Sequence, residues 1–477
     1  MSAVLAAEPS PPLVGPDFLA DPYPTYRAWR DAGPIHWSTE FAGGAWIVTR
    51  HADVDRVLRD PAFSARRTAG WVRHDSPAGR RGRRRFQELF SRAMLFLDAP
   101  DHGRIRGVLQ AAFRPAALAA IASTIERTLD ELLDAVDGLP QFDFMQAIAR
   151  PLPARIIASL MGLEDMPEDE LTCWSEDLAT FIGAMDPSPE QAERAQEALF
   201  GMLRFLHPVL EKRRAALGDD LLSQLIRAEA EGVVEAGPEL LAQCVMLVFA
   251  GFETTRNLLG NGLHALLSHR AQWERLRHAP ELLPAAVREL LRFDSPVQYT
   301  GRRVAVETVL HGQVLRRGDL VLAMIASGNR DPVVYEHPDE LDIARQGKGP
   351  LSFGAGPHVC IGAALTSMEA QAVFRRLIRR WPDLELATGL PVWNSNAVYR
   401  GLSRMIVCTG RSEELRPGAA SGQRDAIWMA TEEENPLGAE AFRGDQPAQA
   451  DRAPGVAGLG FGTTNSELSW RRLRERR

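Results

Sequence analysis

The strongest chemical signal lies in ten residues, Phe353-Gly-Ala-Gly-Pro-His-Val-Cys360-Ile-Gly362. This Gly-rich loop ends in a cysteine and runs into a helix predicted over about 361–380. Ala, Leu, Met and Glu dominate that helix, and Trp381-Pro382 stops it. Cys360 therefore stands at a helix N-terminus. Free N–H groups and the positive dipole end there favour a thiolate over a thiol. Gly354 and Gly356 permit a tight turn and close approach to a flat partner, and Gly362 leaves room beside the sulphur. A thiolate so presented is a nucleophile or a metal ligand. The plainer reading is a buried cysteine after a turn.

Other constellations stand apart from the loop. His102 and Arg106 are four apart on a predicted helix and share a face. Two donors so placed hold an anionic group, although a surface pair is the ordinary explanation. Ala250-Gly-Phe-Glu253-Thr254-Thr255 interrupts an apolar helix predicted over about 238–267. Gly in mid-helix costs about 1 kcal/mol against Ala, and the Glu and Thr side chains need partners there. Such local conflict marks a functional site; the alternative is a threonine bonding back to a helix carbonyl. Glu289 and Arg292, three apart, share another helix face. Arg302 and Arg303 sit in a strand, where alternation turns them to opposite faces. A zinc site at His358 and Cys360 fails, because no other ligand pair has suitable spacing.

The pattern F-x-x-G-x-x-x-C-x-G, carried by Phe353, Gly356, Cys360 and Gly362, resembles in full the haem-binding signature of the cytochromes P450. The other constellations follow in that family's order, over roughly residues 15–410. The resemblance implies a mainly helical α+β fold, with a large helical part and a smaller strand-rich part near the N-terminus. It implies haem b (iron protoporphyrin IX) clamped between the long helix and the helix after Cys360. Cys360 is then the axial thiolate, which favours O–O cleavage. His102, Arg106, Arg302 and His358 are implied contacts of the haem propionates; counting back from Gly312 prefers Arg302 to Arg303. Glu253 and Thr254 are implied catalytic residues, in a groove where the helix opens for oxygen. Glu289 and Arg292 are the family's structural ion pair.

The implied activity is that of a soluble bacterial-type monooxygenase of secondary metabolism. One atom of O₂ enters a small, mainly apolar organic substrate by hydroxylation or a related insertion; the other becomes water. Electrons come from a separate ferredoxin or flavodoxin with its NAD(P)H reductase. Arg104, Arg375 and Arg376 are the expected docking contacts. A peroxide-using peroxygenase is an alternative, but its mark is an arginine in place of the Glu/Thr pair, and the pair is intact. The remaining alternative is a non-catalytic haem- or ligand-binding module.

The totals agree with such a body. The chain has 477 residues, net charge -7 and 45% hydrophobic residues, ordinary globular values. Cys173, Cys244, Cys360 and Cys408 have no paired spacing, which fits a reducing cytoplasm. Residues 1–14 read as a flexible arm without a basic region or long apolar core. The longest apolar run, Val245 to Phe252, is too short to span a bilayer. Mild acidity argues against nucleic-acid binding. A cytoplasmic monomer is expected. A hairpin is predicted from Ile35–Trp37 and Ala45–Thr49, and residues 114–235 read as almost wholly helical. Arg80, Arg81, Arg83, Arg84 and Arg85 read as a solvated loop, which in the family overhangs the substrate pocket. Residues 411–477, rich in Gly, Ala, Pro, Glu and Arg without apolar periodicity, read as a disordered tail.

Overall fold

The apolar stretch at the centre of the chain is one continuous helix, Pro238–Ser268 (the long helix). It is buried on nearly every side, because helices Pro151–Met161, Glu168–Gly183, Pro189–Ala215, Leu283–Phe293 and Ala363–Arg380 pack around it. The computed structural model describes residues 15–40, 44–68, 84, 86–163, 165–184, 187–389 and 391–410. The arm 1–14, the tail 411–477 and most of the Arg80–Arg85 cluster lie outside them; Arg84 alone of that cluster is described, and it is exposed. Contacts divide the chain into Met1–Glu414 and Leu415–Arg477, and every described residue belongs to the first unit.

Close packing explains the glycines of the long helix. A Cβ at Gly251 would stand 2.9 Å from Ile157 Cδ1, and one at Gly262 would stand 2.9 Å from Phe374 Cζ. Each lets a neighbouring helix approach more nearly than alanine would allow. The helix after Cys360 (the cysteine helix) is Ala363–Arg380. It buries Leu365, Ala370, Val373, Phe374 and Leu377 against the core, a 3.6-residue stripe. It begins two residues later than predicted, because Ile361-Gly362 form a turn.

The main sheet has five strands. Ile35–Ser38 pairs antiparallel with Ala45–Val48, as the hairpin reading expected, with Ile35 opposite Val48. Ala45–Val48 runs parallel to Leu320–Ala323, Trp46 opposite Val321. Leu320–Ala323 pairs antiparallel with Thr300–Val304, whose other edge carries Phe63–Ser64. The strand-rich part therefore joins two distant stretches of chain. A second sheet, Gln141–Asp143 with Ile406–Cys408 and Glu385–Leu386, interrupts the helical run predicted for 114–235. Three residues are too few to display alternation.

Behind the cysteine loop lies a buried ion pair. Arg292 Nε and Nη2 donate to the two oxygens of Glu289 at 2.7 and 2.8 Å. Arg292 also donates to the carbonyls of Asn329, Pro338 and Glu340, at 3.1, 2.7 and 3.0 Å. Glu289 further accepts Arg345 Nε and the Asp342 amide. Asn329 passes the order on: its Oδ1 accepts the Leu351 amide at 2.7 Å and its Nδ2 donates to Ser352. Among the described residues no single helix is long and apolar enough to cross a membrane.

Candidate active site

A cavity of about 420 Å³ separates the long helix from the cysteine loop. Phe353, Gly354, Cys360, Ile361 and Gly362 line one side; Phe249, Ala250, Gly251 and Thr254 line another. Gly354 and Gly356 adopt φ of +72° and +69°, the left-handed region. A Cβ at Gly356 would also fall 2.9 Å from the Arg59 Cα, which belongs to backbone and cannot swing aside. The Cys360 amide donates to Phe353 O at 2.8 Å and closes the loop. The amides of Gly362 and Ala363 act on its sulphur and favour the thiolate. The sulphur faces the cavity and Cys360 is exposed there, yet desolvation by the surrounding protein raises the thiol pKa and outweighs those amides and the nearby Arg106. The helix-terminus argument thus supplies the donors but not the charge; a cation bound at the sulphur would complete it.

The cavity's basic side gathers residues from four segments: Arg67, the His102 and Arg106 pair, Arg302, and His358. The rings of His102 and His358 lie 4.1 Å apart, and His102 Nε2 is buried without a hydrogen-bond partner. Burial, then Arg302 and His102, push the His358 pKa down to about 3; burial and then Arg106 lower that of His102. Both imidazoles are therefore neutral. Alternation separates the two arginines as expected: Arg302 is buried, while Arg303 donates to Gly318 O at 3.0 Å. Among the described residues Arg302 donates only to Gly301 O and Thr300 Oγ1, and burial brings its pKa to about 9. Arg67 was not anticipated. None of Arg67, Arg106 and Arg302 has an ion-pair partner among the described residues.

Thr254 and Glu253 part company. Thr254 lines the cavity and its hydroxyl donates to Ala250 O at 2.9 Å. The helix runs unbroken there, so the expected opening reduces to this side-chain bond. Glu253 does not line the cavity. It is 2% exposed and accepts Arg256 Nη2 at 2.9 Å and Asn257 Nδ2 at 3.2 Å. Successive helix residues lie about 100° apart, so the two cannot face one groove together. Arg256 also reaches Glu176, which Arg150 holds. Burial raises the Glu253 pKa, and among the described residues its Oε2 has no hydrogen-bond partner.

Two more polar groups went unseen in the sequence. Thr366 lines the cavity and shares a 3.2 Å hydroxyl contact with Thr255, linking the cysteine helix to the long helix. Glu369 also lines the cavity, is 2% exposed, and keeps an unpartnered Oε2. Burial alone raises its pKa to about 8. Its signal was available, because Leu365, Glu369, Ala372 and Val373 fall on one helical stripe.

Haem fits these residues. Among the described residues no three His, Cys, Asp or Glu side chains cluster as a metal site. Cys360 therefore offers a metal one protein ligand, and a flat macrocycle would supply the rest. The Arg106 and Arg302 guanidiniums and the orphaned His102 Nε2 suit its two propionates.

The cytochrome P450 family model matches residues 72–389. The cytochrome P450 monooxygenase PikC of Streptomyces venezuelae is 35% identical over 85% of this chain and 96% of its own length. The polyketide biosynthesis cytochrome P450 PksS of Bacillus subtilis is 33% identical over 82% of this chain and 97% of its own. The crystal structure of myxobacterial cytochrome P450 CYP267B1 in complex with myristic acid superposes with a TM-score of 0.75 at 31% identity, covering 84% of this chain and 99% of that one. The chain accordingly belongs to the cytochrome P450 family, oxygen-incorporating oxidoreductases that carry protoporphyrin IX haem.

Proposed function

We propose that this P450 inserts one oxygen atom from O₂ into a small, mainly apolar organic molecule, using electrons from a separate ferredoxin or flavodoxin and its NAD(P)H reductase. The observation that carries the reading is that Cys360 and Thr254 line the same cavity, whose remaining walls are largely apolar: Leu95, Phe181, Met246, Phe249, Val297 and Val398 among them. Bound haem supplies the activation of O₂. Cys360 ligates its iron, and Phe353 and Gly362 shape the loop around that sulphur. Arg106 and Arg302 would pair with the propionates as cations, and His102 and His358 would donate hydrogen bonds to them. The Thr254 hydroxyl, by leaving Ala250 O, presents a proton toward the cavity. Glu253 replenishes it from behind the helix, where burial raises its pKa above the ordinary carboxylate value. Apolar walls exclude water from the Thr254 hydroxyl.

The three cations first expected to meet the electron partner are engaged within the chain. Arg104 donates to Glu239 and Asp101, and Arg375 and Arg376 pair with Glu126. Arg376 also pairs with Asp130, while Arg375 reaches Glu126 at 3.8 Å and stays 40% exposed.

The test is the spectrum of the reduced protein with carbon monoxide. A red-shifted Soret band is expected, lost in Cys360→Ser and kept when Cys173, Cys244 and Cys408 are replaced. NADPH consumption with a surrogate ferredoxin, with product analysis, separates a monooxygenase from a binding module. Product formed only with added peroxide would favour the peroxygenase.

A further inference from the structure

We propose that Arg67, with Tyr399, forms an anion-recognition subsite within the substrate cavity, so that the substrate is an organic carboxylate with an apolar body. The proposal rests on the monooxygenase reading and names its substrate class.

Charge counting comes first. The cavity presents three guanidiniums without an ion-pair partner among the described residues: Arg67, Arg106 and Arg302. Asp98, the carboxylate that acts on Arg302 from beyond ion-pair distance, is occupied by Ser64, the Ala65 amide and Arg66. Haem brings two propionates. Arg106 and Arg302 match them, and one cation is left over. A buried charge without a counter-ion is costly, and a ligand that supplies the anion relieves that cost.

Position comes second. The Arg67 stem lies across Gly301, where an added Cβ would meet its Cδ at 3.2 Å. Its guanidinium carbon stands 4.6 Å from the centroid of Phe96. Its one hydrogen bond among the described residues is to Ala65 O, at a long 3.5 Å. The surface it retains is turned to the cavity it lines, and burial brings its pKa to about 10. Arg67 and Tyr399 lie within electrostatic reach of each other. Tyr399 in turn meets Phe249 of the long helix edge-on, with centroids 5.7 Å apart. Phe249 is five residues before Thr254 on that helix. Arg67 also acts on Arg302 and His358, so it stands where the basic side of the cavity meets the wall formed by Tyr399 and Phe249. The Tyr399 hydroxyl has no hydrogen-bond partner among the described residues and can donate to the same anion.

The experiment titrates haem-loaded protein with matched pairs, dodecanoic acid with methyl dodecanoate and 4-phenylbutyric acid with its methyl ester, following the Soret shift. The acid of at least one pair is expected to bind about tenfold or more tightly than its ester. Arg67→Gln should cut that preference to about twofold or less while haem content and ester affinity persist. Tyr399→Phe should weaken acid binding only a few-fold. Native protein that favours no acid over its ester overturns the proposal, as does a preference that survives Arg67→Gln. Loss of haem from Arg67→Gln, with no acid preference in the native protein, assigns the arginine to the cofactor and also overturns it. The carbon monoxide band of the native protein tests the monooxygenase reading separately.

Discussion

Consider removing one partner from the Glu289–Arg292 pair. Both side chains are essentially buried, at 2% and 1%. Glu289→Gln keeps the volume but leaves the Arg292 charge uncompensated, and breaking a buried pair this way costs about 3–5 kcal/mol. Arg292→Leu should cost more. It leaves Glu289 with Arg345 and the Asp342 amide, so the carboxylate is still held. It also strips the carbonyls of Asn329 and Pro338 of their donor, while Glu340 O keeps Arg345 Nη2. Each carbonyl left unsatisfied adds about 1 kcal/mol or more. The double variant removes both charges, so its cost should fall short of the sum of the single costs by at least about 2 kcal/mol. The assay is urea unfolding of haem-loaded protein by far-UV circular dichroism, with haem content measured in parallel. Haem retention should fall in the same order, because Asn329 hands the Arg292 contact to Leu351 and Ser352 at the start of the cysteine loop. Additive single costs, or an Arg292 variant milder than the Glu289 one, would refute this reasoning.

Thr254→Ala should keep haem and NADPH oxidation while product per NADPH falls by about tenfold or more and hydrogen peroxide rises to match; full coupling would remove Thr254 from the proton path. Glu369 ties stability to pH. Its folded pKa of about 8 lies above the ordinary 4.5, so the unfolded chain releases a proton that the folded chain keeps. Stability should therefore fall between those two pH values, by about 1.4 kcal/mol per unit at most, and Glu369→Gln should flatten that slope. Gly356→Ala should reduce haem loading and cost more than about 1 kcal/mol, since positive φ and the Arg59 backbone both oppose a side chain; denaturation and the Soret absorbance read it out. A chain ending at Arg411 should fold and bind haem; precipitation or haem loss would show that residues 412–477 belong to the folded body.

Sequence reading reached what is local. The cysteine loop, the long helix and the Glu289–Arg292 spacing each lie within a few turns of chain, where periodicity and residue type suffice. It missed what only a distant segment decides. Arg67 follows a two-residue strand, and nothing beside it in sequence marks it as cavity-lining; Gly301 and Tyr399 do so from more than 230 residues away. Arg375 and Arg376 look like free cations until Glu126 is brought against them. The direction of Glu253 was legible in part. Helical geometry already forbade it and Thr254 a common face, but its true partner, Arg256, required no distant element and was overlooked.

The main sheet also sets a clock on biosynthesis. Trp46 cannot meet Val321 until some 275 further residues have been made, and Gln141 waits as long for Cys408. At typical translation rates that delay is on the order of fifteen seconds to a minute. Throughout it, the Ala45–Val48 edge awaits its parallel neighbour, and the cysteine loop does not yet exist to receive haem. Such high contact order makes late folding slow and leaves early strands open to misassembly. Haem therefore has to be captured near the end of synthesis or after it, and haem supply during expression should limit active yield more than messenger abundance does.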